Sequence, residues 1–240
     1  MTVETRPRAP TGSLHALFAG QDDRREVHRR AHLHRSGDML HHAYLVASGW
    51  FGRFRMGSSG SEAVTAVYLP GDIIGLDALF DQQSRDEVTA LSDGAVLRLP
   101  LATVRDAVEG GGRAALEAAR LLAADSGFLR EALFAVGTQS SIERLSTFIL
   151  QTYDRLVQTG QIPAGADRFA LPLTQSHLGA VTGLTSVHVN RVLKQLRVAG
   201  LVEIRGGSVR VLNLTGLRSA AQRRPTPRQA PLPVLGQAIV

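Results

Sequence analysis

The spacing of apolar residues changes twice between Leu173 and Leu214, and each change marks a boundary between predicted elements. Thr174 can cap a helix over Gln175 to Val181 that buries Leu178 and Val181 on one side. Gly183 ends that pattern where a tight turn calls for positive φ, and Leu184 is placed to fill the angle beyond it. A second cap, Thr185, opens a helix in which Val189, Val192, Leu193 and Leu196 recur at helical spacing. Its other faces carry Ser186, Val187, His188, Asn190, Arg191, Lys194 and Arg197. After Ala199-Gly200 the period falls to two. Leu201 to Leu214 alternates apolar and polar residues around Gly206-Gly207, which predicts a β-hairpin flanked at its tip by Arg205 and Arg210. Two short helices, a turn and a hairpin outline a winged helix-turn-helix.

Upstream, two longer helical patterns appear. From Arg113 to Val136 the residues Ala118, Leu122, Leu129, Ala132 and Val136 fall on alternating three- and four-residue steps, with Asp125 in the same register. Such a seam suits pairing with a second copy, and the competing reading packs it on its own chain. From Ser141 to Val157 a second helix gathers Ile142, Leu145, Phe148, Ile149 and Leu156 on one side, with a hinge near Gly137 to Ser141. Between about Arg29 and Leu99, strand-like runs such as 44–56, 62–69 and 94–100 are separated by Gly, Ser and Asp turns, which indicates a β-roll or sandwich. Pro70-Gly71-Asp72 is a turn, after which Ile73-Ile74, Gly75 and Leu79-Phe80 re-enter the core through a short helical turn.

Charge sharpens this division. Residues 141–240 hold 12 Lys and Arg against 4 Asp and Glu, net +8, while residues 1–140 hold 15 against 17, net −2, giving +6 overall. The basic half is the one with the helix-turn-helix, as neutralising DNA phosphates requires. An exposed recognition-helix face offers Ser186, Val187, His188, Asn190 and Arg191 to base edges, with Arg191 suited to guanine and Asn190 to adenine. Thr174, Thr185, Lys194, Arg205 and Arg210 are the phosphate candidates.

The run LTQSHLGAVTGLTSVHVNRVLKQL resembles the DNA-binding motif of the Crp/Fnr family of bacterial transcription regulators, and LPGDIIGLDALF resembles that family's sensor-domain signature. The resemblance spans roughly residues 30–215. It implies an α+β protein with a jelly-roll-like sensor domain of the cyclic-nucleotide-binding type over residues 13–110. A dimerisation helix over 111–138, whose pairing face includes Leu122, Leu129, Ala132 and Val136, and a winged helix-turn-helix over 141–216 follow. Residues 1–12 and 217–240 are expected to be flexible tails, the second one basic. The implied partners are double-stranded DNA read at a palindromic operator, a second copy of the chain, and RNA polymerase if the protein is an activator.

The implied effector pocket involves Gly71, Asp72, Gly75, Leu76, Asp77 and Arg85. In the resembling family a Glu directly after the glycine holds a ribose hydroxyl and a downstream Arg pairs with a cyclic phosphate. Here Leu76 follows Gly75 and cannot accept that hydrogen bond, while Arg85 is followed by Asp86-Glu87, whose charges repel a phosphate. The Thr or Ser pair that reads adenine is replaced by Leu129-Arg130. Cyclic AMP is therefore not the expected effector, and the effector stays unknown. The relatives that respond to cyclic AMP carry an Arg-Glu pair where this chain has Ser186-Val187, so its operator is expected to differ.

Other chemistry is constrained by composition. With no cysteine there is no disulfide, thiolate zinc site or all-cysteine iron–sulfur cluster. His28, His32, His34, His41 and His42 place five of the eight histidines within fifteen residues. His32 and His34 would share a strand face and could ligate a metal, which keeps two alternatives open: a haem or metal sensor in the same framework, or a cupin-like metal enzyme. No Walker loop, nucleophile elbow or HExxH is found, so the expectation is a non-enzyme. No apolar run approaches eighteen residues and the polar N-terminus has no signal-peptide core, so no membrane association and a cytoplasmic location are expected.

Overall fold

The computed structural model describes residues 14–20, 22–58 and 60–221. The N-terminal part holds eight strands, with apolar alternation clearest in β5 and β7: β1 Arg24–Val27, β2 His32–His34, β3 His42–Ser48, β4 Phe51–Met56, β5 Glu62–Tyr68, β6 Ile73–Ile74, β7 Glu87–Ala90 and β8 Gly94–Pro100. They form two antiparallel four-stranded sheets, ordered β1-β8-β3-β6 and β2-β7-β4-β5. The expected run 44–56 is two strands in different sheets, because the chain crosses over at Gly49-Trp50. Val46, Phe51, Tyr68, Ile74, Val88 and Val96 pack together in the roll's interior. Full burial of such a large apolar side chain is worth about 1.5–3 kcal/mol.

A 3-10 turn over Leu76–Leu79 follows β6, as the sequence suggested, and buries Leu76, Ala78 and Leu79. Phe80 departs from expectation. It does not re-enter the core and is 80% exposed, because the turn ends there with its Cβ on the outside of the roll. Three helices adjoin this part of the roll: α1 Leu14–Phe18, α2 Leu101–Glu109 and the start of α3 Gly112–Thr138. Their contacts run through Leu14, Phe18, Leu101, Val104, Ala114 and Ala118.

The α3 seam is divided. Ala118 is buried and Leu122 half-buried against the roll, so the first half of the expected pairing stripe faces its own chain. In the second half Leu129, Leu133, Phe134 and Val136 are all more than two-fifths exposed, and Ala132 is half-buried. The helix stops at Thr138, inside the expected hinge, and Ser140 restarts the chain as a capping box. The Ser140 hydroxyl accepts from the Glu143 amide at 3.3 Å, and the Ser140 amide donates to Glu143 Oε2 at 2.6 Å.

The C-terminal part contains α4 Ser141–Gln158, β9 Arg168–Ala170, α5 Gln175–Thr182, α6 Ser186–Val198, β10 Val202–Arg205, β11 Ser208–Val211 and α7 Leu214–Ala220. Its sheet is ordered β10-β11-β9, all antiparallel. The domain runs past the expected end at residue 216. Leu217 is fully buried, and Arg218 forms a two-pronged ion pair with Asp154 on α4, so a tail starting at 217 is corrected by the packing of α7. The rest of that expected tail, 222–240, and the expected N-terminal tail, 1–12, lie outside the described residues. One apolar cluster holds Leu145, Ile149, Leu178, Val189, Val192 and Leu196 of this part together with Trp50, Phe54 and Leu69 of the roll.

Candidate nucleic-acid interface and sensor pocket

The helix-turn-helix is built by caps at both helix starts and a glycine turn between. Thr174 Oγ1 accepts the His177 amide at 3.1 Å and Thr185 Oγ1 accepts the His188 amide at 3.3 Å, each satisfying a free donor of its helix. Gly183 ends α5 in the left-handed region with φ 66°, and a side chain there would press on Val136 and Arg144. The Arg144 guanidinium donates to the Thr182 carbonyl at 3.1 Å, closing the end of α5 from α4. Val189, Val192 and Leu196 dock α6 inward.

That docking leaves Ser186, Val187, His188, Asn190, Arg191 and Lys194 exposed on α6, with Thr174 and Thr185 exposed at the two caps. The structure therefore brings the expected base-reading and phosphate residues of both helices onto one continuous element pair. The wing forms around Gly206 and Gly207, both with positive φ, as a two-residue hairpin turn requires. Arg205 is paired with Glu203 at 2.7 Å, and Arg210 stands 4.0 Å from Asp167. Both arginines are exposed, Glu203 is half-buried and Asp167 exposed, and ion pairs at such a surface are weak and exchangeable for phosphate. The third strand, β9, was not legible in the sequence because three residues carry too little pattern.

The expected effector region forms a pocket between the roll, α3 and α4. Its walls include Arg53, Tyr68, Asp72, Gly75, Leu76, Asp77, Asp125 and Arg155. Gly71 and Arg85 are not among them. Gly71 lies in the preceding turn, where its carbonyl takes a hydrogen bond from His15 Nε2, and Arg85 is 78% exposed and paired with Asp81 at 3.2 Å. The free space is about 70 Å³, well below the roughly 300–1,000 Å³ of pockets that bury a drug-sized ligand.

Arg53 is the cation that the sequence reading missed. Its side chain is 12% exposed, and it faces Asp125 at 3.4 Å, Asp86 at 3.7 Å and Asp77 at 3.9 Å. Its Nε donates to Thr65 at 3.1 Å and its guanidinium lies over the Tyr68 ring at 5.9 Å. Burial disfavours its charge, but Tyr68 and the carboxylates of Asp125, Asp77 and Asp86 outweigh that and hold its pKa above the ordinary value. Burial pushes the Asp125 carboxyl above the usual range against the pull of Arg53. Asp86 is thus engaged by Arg53 and, at 2.5 Å, by Arg55. Asp125, placed by its spacing on the pairing seam, turns to the pocket instead.

The histidines do not converge. A register shift between His32 and His34 leaves His32 beside Thr89 at 3.0 Å while His34 is buried, its Nδ1 without a hydrogen-bond partner and its pKa lowered by burial. Among the described residues no three His, Asp or Glu side chains come together as a metal site, and no helix is long and apolar enough to cross a membrane.

Comparison with known proteins gives two family matches in chain order: residues 24–110 match the cyclic nucleotide-binding domain and residues 143–220 the Crp-like helix-turn-helix domain. The anaerobic regulatory protein of Haemophilus influenzae is 26% identical over 77% of this chain and 71% of its own length. The fumarate and nitrate reduction regulatory protein of Vibrio cholerae is 24% identical over 82% of this chain and 78% of its own. Among solved structures, FixK2 from Bradyrhizobium japonicum shares the fold with a TM-score of 0.73 at 23% identity, covering 82% of this chain and 96% of that one.

Proposed function

The chain belongs to the Crp/Fnr family of DNA-binding transcription regulators, and from that premise we propose that it works as a homodimer on a palindromic operator without cyclic AMP. The observation that carries the DNA reading is the α6 face, where Ser186, His188, Asn190 and Arg191 are exposed beside two capped helix starts. One such helix reads only a few base pairs, and two related by a two-fold axis read half-sites one helical turn apart. The exposed Leu129, Leu133, Phe134 and Val136 on α3 supply the apolar face for that second copy. The protein acts in the cytoplasm as a non-enzyme, and as an activator it would contact RNA polymerase.

Three features support independence from cyclic AMP. Leu76 offers no acceptor to a ribose, Arg85 points to solvent, and the buried guanidinium of Arg53 is already faced by three carboxylates. A phosphate entering there meets Asp77 and Asp125 before it meets an unoccupied cation. Selecting bound duplexes from a random pool with purified protein and no added ligand tests this directly. A palindrome with half-sites about one helical turn apart is expected. No enrichment without an effector would refute the ligand-free reading.

A further inference from the structure

We propose that Arg155 is a positioning residue that sets the DNA-binding domain against the sensor roll, making the pocket itself the joint between them. The inference rests on the dimer-and-palindrome reading above. Arg155 lies on α4, the helix whose Leu145, Ile149 and Leu156 form the core of the DNA-binding domain. Its guanidinium leaves that domain and grips the roll twice. Nη1 donates to the Val67 carbonyl at 2.8 Å, and Nη2 donates to Asp72 Oδ2.

Asp72 is itself fixed, since Oδ2 also accepts the Leu69 amide at 2.5 Å, so it cannot follow Arg155 without opening the turn between β5 and β6. One side chain of α4 is thus tied to the end of β5 and to the turn beneath the pocket. Arg155 also lines the pocket, together with Asp125 of α3 and Arg53 of β4. Apolar contacts such as Phe54 against the His177 ring, 5.4 Å apart, press the domains together but tolerate sliding. A two-pronged hydrogen bond to a carbonyl and a carboxylate sets register. A change at the pocket therefore reaches the DNA-binding domain through Arg155 as well as through α3.

The role makes a specific demand. Reading two half-sites at once depends on where each domain sits, whereas reading one half-site depends only on the winged helix. Arg155→Met should therefore lower affinity for the full palindrome by about tenfold or more, through lost simultaneous engagement, while affinity for a duplex carrying one half-site stays within about twofold. Arg155→Lys, which can restore one prong, should recover part of the loss on the full site. Both variants and the unaltered full-length protein are titrated against the two duplexes in the same salt. Equal losses on both duplexes would assign Arg155 a merely structural role, and no loss on either would show that it sets nothing. Both results overturn this inference while leaving the operator reading intact. Failure of the unaltered protein to prefer the palindrome over the half-site overturns the operator reading first, and this inference with it.

Discussion

The exposed face of α6 and the pocket between the roll, α3 and α4 both hold arginine, and they use it in opposite ways. Arg191 and Lys194 stand exposed on α6, where nothing among the described residues precludes an approaching phosphate or base. Arg53 is buried among Asp77, Asp86 and Asp125, so its charge is spent on holding β4, α3 and the 3-10 turn together. A cation marks an anion site only where it is free to change partners. A half-buried pocket with a satisfied arginine is a piece of architecture.

This contrast can be broken most forcefully at Arg53. Replacing it with Met leaves Asp86 with Arg55 alone and takes the cation from the more exposed Asp77 and Asp125, and a loss of about 1.5–3 kcal/mol in stability is expected by chemical denaturation. A loss below about 1 kcal/mol would place Arg53 with the exposed pairs and dissolve the contrast. Arg191→Ala should be silent in stability and cost about 1–3 kcal/mol in operator affinity, with relaxed preference at one base pair. Unchanged affinity and preference would mean that α6 does not dock by that face. Arg210→Ala should weaken binding to all sequences alike and reduce the salt slope by about one. A sequence-dependent effect there would move Arg210 from the phosphates to the bases.

The smallest expected effect concerns pH. Burial holds the His177 pKa below the ordinary histidine value where its ring packs on Phe54. The folded state then binds fewer protons than the unfolded one, so the contribution of His177 is present above the ordinary histidine pKa of about 6.5 and is lost as pH falls through the folded value. His34 and His42 run the same way, while His15 runs oppositely, its hydrogen bonds to Gly71 and Glu117 outweighing burial and raising its pKa. His177→Phe keeps the ring contact and should flatten part of the decline in melting temperature between about pH 7.5 and 5.5. An unaltered pH profile would show that the ring is not held neutral by that packing.

The two regions also differed in how much of them was legible in sequence. The winged helix is local: Thr174, Gly183 and Thr185 cap and break helices within a dozen residues, and the period of Val189, Val192 and Leu196 states which face is buried. Each of these signals acts on its immediate neighbours, so spacing suffices. The pocket joins positions 53, 77, 125 and 155, with Asp86 facing Arg53, and no periodicity links them. The reading instead placed Arg85 in the pocket and Asp125 on the pairing seam, because along one helix register alone does not tell which partner a face meets. α7 escaped for another reason. Seven residues capped by Asn213 make too short a helix to show a period, and tertiary contacts hold it, the burial of Leu217 and the Arg218–Asp154 pair to α4 among them.

Under the proposed function, this protein reads its operator while the pocket beside Arg53 is closed by its own charges. One titration tests it most directly: the affinity of the purified protein for its selected palindrome, measured with and without saturating cyclic AMP. Tight, salt-dependent binding that is the same in both samples is expected. Binding that appears only with cyclic AMP, or strengthens by about tenfold or more on its addition, would refute ligand-free operator reading, because such coupling requires the nucleotide to bind the DNA-competent state preferentially.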